Sequence, residues 1–262
     1  MMRAWKLFSA FFKMNLQMSL AYRAETAVNI LINLMWLGWE LLSLSIIFNN
    51  TATLGGWGPG ELVALLGVFR MVNTLMAGLL WPNTEKFNAS VRDGSLDYTL
   101  LQPVNSQFLV SFARITIWRA WDLVLAVILI VVGIHISGDS TSLSSVLKFL
   151  LLTTSGTVVI YSLWIVLIAF TFWFTKFDNN VTILQALLDS GRYPATIYPA
   201  WLQVIITFII PIAVATTVPL QALRGDLSNV QVLIFLGVGI ASFWVAALVW
   251  KFGVRRYSGA SS

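Results

Sequence analysis

Two ionisable side chains interrupt otherwise apolar runs of this 262-residue sequence, Glu40 and Arg70. A charge near a bilayer centre costs about 2.5 to 3.5 kcal/mol on insertion scales, so each needs a partner or an aqueous cavity. The rest of the chemical inventory is sparse. There is no cysteine, and the sole histidine, His135, lies at the outer end of the third apolar run; this removes disulfides, thiolate nucleophiles and any His/Cys metal cluster, and leaves the serines without a histidine partner in any plausible arrangement. An intramembrane aspartyl hydrolase needs two facing carboxylates, and only Glu40 is clearly interior. The nearest approach to a phosphate-binding loop runs from Gly133 to Ser140, with Asp139 where that loop requires lysine. The residue types therefore predict no catalytic, metal or cofactor site.

The elements that must carry Glu40 and Arg70 are six apolar stretches, at about Thr26 to Phe48, Glu61 to Trp81, Ala120 to Ile136, Phe149 to Thr175, Thr196 to Val218 and Val230 to Trp250. Each approaches the roughly 20 residues that a helix needs to cross a hydrocarbon core. With 58% hydrophobic and 10% charged residues, the composition is that of a membrane domain. The runs lack the two-residue alternation of a barrel, which predicts an all-α protein of six transmembrane helices. Basic residues sort onto alternate loops. One side collects Arg3, Lys6, Lys13, Arg23, Lys86, Arg92, Arg114, Arg119, Lys176, Arg192, Lys251, Arg255 and Arg256, and the other keeps Lys148 and Arg224. The positive-inside rule then places both termini in the cytoplasm. Trp81, Trp118, Trp121, Trp173, Trp201 and Trp250 fall near the expected cytoplasmic ends of the spans. The net charge of +5 reads as topology and gives no reason to invoke nucleic acid.

Residues 1–25 read as an amphipathic helix lying in the interface, because Trp5, Phe8, Phe12 and Leu16 share one helical face while Lys6, Lys13 and Gln17 share another. Residues 26–252 form the transmembrane domain, with a long cytoplasmic loop at 82–119, and 253–262 form a tail. In that loop Asp93 and Gly94 signal a turn, Ser95 a helix N-cap and Pro103 a stop, which predicts a short helix from Leu96 to Leu101. The fifth span holds Pro199 and Pro211 and ends at Pro219. Proline deletes a backbone donor, so the outer half of this span is either kinked or broken and re-entrant. GRYP at Gly191 to Pro194 reads as the cytoplasmic entry to it. Rise along antiparallel helices puts Glu40 and Arg70 at similar depth, roughly 12 to 13 Å below the outer boundary. They are expected to meet, as a packing pair or as part of a substrate path.

The segments VRDGSLDYTLLQPVNSQF and GRYPATIYPAWLQVIITFIIPIAVATTVPLQALRG, in this order and at these places in the topology, resemble the permease subunits of type-2 ABC exporters. The likeness is to a six-span branch whose loop carries Gly-x-x-Asp-x-x-Leu-x-x-Pro-x-Asn, here Gly94, Asp97, Leu100, Pro103 and Asn105, and it extends over essentially the whole chain. It implies a division of labour. A separate ABC ATPase subunit binds ATP and Mg and docks on cytoplasmic elements that include this loop, while a second permease subunit, identical or homologous, completes the pathway among membrane lipids. It further implies a prokaryotic plasma membrane and a re-entrant segment before the last span, which Pro211 to Asp226 would supply. A secondary transporter is the alternative, weakened by the shortage of interior acids, and a non-transport membrane scaffold is the third reading.

Overall fold

In a computed structural model of the chain, the structure describes residues 13, 14, 16, 17, 23–138, 141–174 and 179–257. The described residues are helical, apart from turns and an isolated bridge between Leu54 and Trp57. We label the helices α1 (Arg23–Asn50), α2 (Pro59–Arg92), α3 (Leu96–Leu100), α4 (Ser106–Phe112), α5 (Ala120–Ser137), α6 (Leu143–Ala169), α7 (Asn180–Asp189), α8 (Ala200–Ile209), α9 (Ile212–Ala215), α10 (Thr217–Arg224) and α11 (Asn229–Arg256). Five of them, α1, α2, α5, α6 and α11, are long and apolar enough to cross a membrane. Of the expected interfacial helix, Lys13, Met14, Leu16 and Gln17 are helical and exposed, and the remainder lies outside the described residues.

The second span does not stop at Trp81 as the sequence predicts. Pro82 cannot donate to the carbonyl four residues earlier and crowds it. The helix widens into a π turn over Met76–Leu80 and continues to Arg92. The carbonyl of Gly78, four residues before that proline, accepts instead from the Thr116 N–H at 2.7 Å, so the proline that loosens α2 also creates the socket for the chain entering α5.

The helices pack through small residues. A Cβ on Gly60 would fall 2.5 Å from the Ser137 nitrogen, and one on Gly67 would fall 2.7 Å from the Ala126 carbonyl. Gly133 faces the Ala64 backbone in the same seam between α2 and α5. Without a hydrophobic drive between helices in lipid, this close approach is what holds them together. Around Phe87 the rings of Phe87, Phe172 and Trp250 meet in a triangle with centroids 5.4 to 5.5 Å apart. A second core at the other end gathers Trp57, Leu65, Phe149, Leu220 and Leu223.

The expected fifth span from Thr196 to Val218 is the main correction. Thr196 sits at the Trp57 end, where its hydroxyl accepts from Trp57 Nε1 at 3.1 Å and donates to the Gly55 carbonyl at 2.9 Å. Arg224, beyond the far end of the same stretch, is at that end too, 3.0 Å from Glu61. Between them α8 descends, the chain reverses at Ile210 and Pro211, and α9 and α10 climb back along α6, with Ala215 against Gly156 and Gly225 near Ser145. The stretch is a helical hairpin with both mouths on one side. Pro211 explains the reversal, since it cannot extend α8's ladder: Ile210 closes a π turn onto Ile205 at 2.8 Å, and the backbone then breaks. Pro199 is the N-cap of α8, and Pro219 lies in the first turn of α10, where no donor is lost, rather than ending a span.

The return from the Phe87 end to the Trp57 end is made earlier, through α7 and Ser190 to Ile197. Asn180 is anchored at the bottom by Asn88, Nδ2 to Oδ1 at 3.1 Å, and Leu184 and Leu188 are buried in the lower core. GRYP is therefore interior rather than a cytoplasmic entry. Arg192 and Trp201 leave the side of the bundle to which the sequence assigns them. Trp250 is buried with its Nε1 on the Ser106 hydroxyl at 3.2 Å, so it serves packing rather than an interfacial belt.

Candidate functional site

Glu40 projects from α1 toward Arg70 on α2. Arg70 Nη2 and Nε lie 2.7 and 2.8 Å from the same carboxylate oxygen, and both side chains are largely buried. The structure adds a member that the sequence reading placed elsewhere. Arg192 Nη2 is 3.9 Å from the other Glu40 oxygen and 3.5 Å from Asp189, and its guanidinium lies 5.2 Å over the Phe69 ring. One carboxylate thus serves two guanidiniums, and its charge offsets the repulsion between them.

Below this cluster is a cavity of about 430 Å³ between α1, α2, α5 and α7. Asn33, Asn73 and Gln185 face it at mid-height, and Arg119 and Asp122, 3.5 Å apart, line the part at the start of α5. A smaller cavity of about 90 Å³ lies against Ser43, Leu62 and Tyr193 and shares Trp39, Glu40 and Arg192 with the first. The charge cluster therefore stands between two cavities. Sequence reasoning missed Asp122, Gln185 and Arg192. The apolar i, i+4 pair Leu184 and Leu188 was the available signal that α7 is embedded.

The loop at the Phe87 end is built from the other set of expected residues. Gly94 takes φ 76°, a left-handed turn that only glycine enters freely. Asp93 accepts from the Ser95 N–H at 2.9 Å, and hydrogen bonds from Ser95 hold the Asp93 carboxyl below its usual range. Ser95 occupies the N-cap position of α3, as expected, but makes no side-chain cap, and the Asx turn of Asp93 fixes the turn before it. Leu96 is fully buried and Leu100 packs on the lower core, so both anchor α3 to the bundle. Tyr98 and Leu101 point away, 76% and 81% exposed. Pro103 follows the end of α3, and Asn105 caps α4 by accepting from the Phe108 N–H at 3.1 Å. Asp97 faces the end of α11, where burial and the Asp97 carboxylate push the Tyr257 phenol up. Buried Asn83 ties α2 to the end of this loop, donating to the Arg114 carbonyl at 2.8 Å and accepting from the Arg114 N–H at 2.9 Å.

His135 is exposed near the end of α5, and among the described residues no group of histidines and acids could hold a metal ion. A family model described as ABC-2 family transporter protein matches residues 34–261. No curated protein and no solved structure matches the chain.

Proposed function

The chain belongs to the ABC-2 transporter family, and from that premise we propose that it is the permease subunit of an ATP-driven exporter, working with a separate ATPase that holds ATP and Mg and with a second permease subunit. Several apolar helices of membrane-spanning length make it a multi-pass membrane protein. In the proposed topology the Phe87 end faces the cytoplasm, because Lys86, Arg92, Arg114, Lys251, Arg255 and Arg256 gather there. The five long helices and the rising segment through α7 then make six crossings, both termini are cytoplasmic, and the α8 to α10 hairpin dips in from outside. A prokaryotic plasma membrane is the expected location.

The observation that supports coupling best is the shape of the cytoplasmic loop. α3 is clamped by Leu96 and Leu100 while Tyr98 and Leu101 stand almost free of the chain. A short helix rigidly rooted in the bundle, with an aromatic and an aliphatic side chain projecting, is what a docking contact needs, since anchors in pockets carry most of an interface's energy. Motion of a docked ATPase would pass through α3 into α2 and, by way of Asn83 and Thr116, into α5. The test is to tag the chain, purify it from its native membrane in mild detergent and identify what accompanies it. An ATPase with a Gly-x-x-x-x-Gly-Lys-Ser/Thr loop is expected in stoichiometric amount; recovery of the folded chain with no ATPase under several detergents would contradict the reading.

A further inference from the structure

The cavity beneath Glu40 contains polar atoms that the protein leaves without partners. Asp122 is 3% exposed; one of its carboxylate oxygens faces Arg119 at 3.5 Å, and the other has no partner. Gln185 Oε1 has no donor, although its amide nitrogen donates to Asp189 at 3.0 Å, and Arg192 Nε has no acceptor. A buried polar atom left unpaired is unfavourable, because it has given up water without gaining a partner. The unmet groups are of both kinds: acceptors on Asp122 and Gln185, a donor on Arg192.

Charges of both signs line the cavity, Arg70, Arg119 and Arg192 with Glu40 and Asp122, and Asp189 faces Arg192 from outside it. A ligand of a single sign would satisfy one set of these groups and oppose the other. A head carrying both an ammonium and an anion would satisfy both. Trp36 and Trp39 line the same cavity yet are more than half exposed on α1, a helix of which only 6% of the apolar window is buried. The seam beside α1 is thus a lateral opening with aromatic edges, and the volume of about 430 Å³ lies in the range of small-ligand sites.

We propose that this cavity binds a zwitterionic amphiphile, its ammonium held by Asp122 and Gln185, its anionic group beside Arg192, and its apolar tail leaving past Trp36 and Trp39. Placing the site within a bilayer rests on the membrane-transporter reading, whereas the head chemistry rests on the cavity's own atoms. Charge-assisted hydrogen bonds are roughly twice as strong as neutral ones, so losing either charged contact should weaken binding about ten-fold or more.

The experiment is calorimetric titration of the purified full-length chain, in a neutral maltoside detergent and without any ATPase. The probes are dihexanoyl phosphatidylethanolamine, dihexanoyl phosphatidylglycerol, an alkylammonium of matched length and free phosphoethanolamine. The phosphatidylethanolamine should bind at least ten-fold tighter than the other three. Asp122→Asn and Arg192→Gln should each abolish that preference, and Gln185→Leu, which breaks no ion pair, should do so while melting as the unmodified chain does. Equal binding by the anionic lipid or the alkylammonium would overturn the zwitterionic head, equal binding by phosphoethanolamine would overturn the tail, and no binding by any probe would overturn the site. Because no ATPase is present, binding here stands or falls separately from export.

Discussion

Glu40 is the residue on which the interior charges converge, and that decides how its substitutions should behave. Replacing it by glutamine strands Arg70 and weakens the hold on Arg192, whereas replacing Arg70 leaves Glu40 with Arg192 still 3.9 Å away. Breaking a buried pair from one side costs about 3 to 5 kcal/mol. Glu40→Gln should therefore lower the detergent-extracted melting temperature more than Arg70→Gln. The double variant should recover part of the loss, because only Arg192 is then short of a partner and Asp189 remains near it. A double-mutant cycle checks this, and additive effects would show that the two side chains do not couple. The meeting of Glu40 and Arg70 was legible in the sequence because depth follows from rise per residue along two antiparallel helices. Arg192 was not. Its position depends on α7, which at ten residues is too short to register as a span.

At the level of elements, the α8 to α10 hairpin separates what hydropathy shows from what packing decides. Averaged over Thr196 to Val218, the apolar run looks like one crossing. Its direction is set by a missing donor at Pro211 and by the fit of Ala215 onto Gly156, neither of which a hydropathy window registers. Because the chain has no native cysteine, Thr196→Cys gives a clean test. An impermeant thiol reagent should modify it in intact cells, and labelling only after permeabilisation would restore the continuous span. The α2–α5 seam gives a second. Gly133→Val would drive two methyl groups into the Ala64 backbone and should lower stability by about 1 to 3 kcal/mol or more, seen as loss of folded yield; an unchanged melt would mean the helices are not held this closely. The short helix falls where the sequence predicts it, but the loop expected at 82–119 begins only after Arg92, because α2 continues past Trp81. Which face of that helix is free was not readable, because Leu96 and Leu100 find their partners on distant helices.

For the whole molecule, the proposed function requires the membrane bundle to offer one rooted, outward-facing contact to an energy-supplying partner. The asymmetry within α3 makes this testable without disturbing the fold. Leu100→Asp would place a charge against the lower core and threaten the bundle itself. Leu101→Asp places it on a side chain that is 81% exposed, where the chain alone should tolerate it but a dry interface should not, since an unpaired charge there costs several kcal/mol. The decisive measurement is the affinity of the purified ATPase for nanodiscs containing either the unmodified chain or its Leu101→Asp variant, with melting temperatures recorded alongside. Docking through α3 predicts that affinity falls at least ten-fold while the two melts coincide. Equal affinities would contradict it.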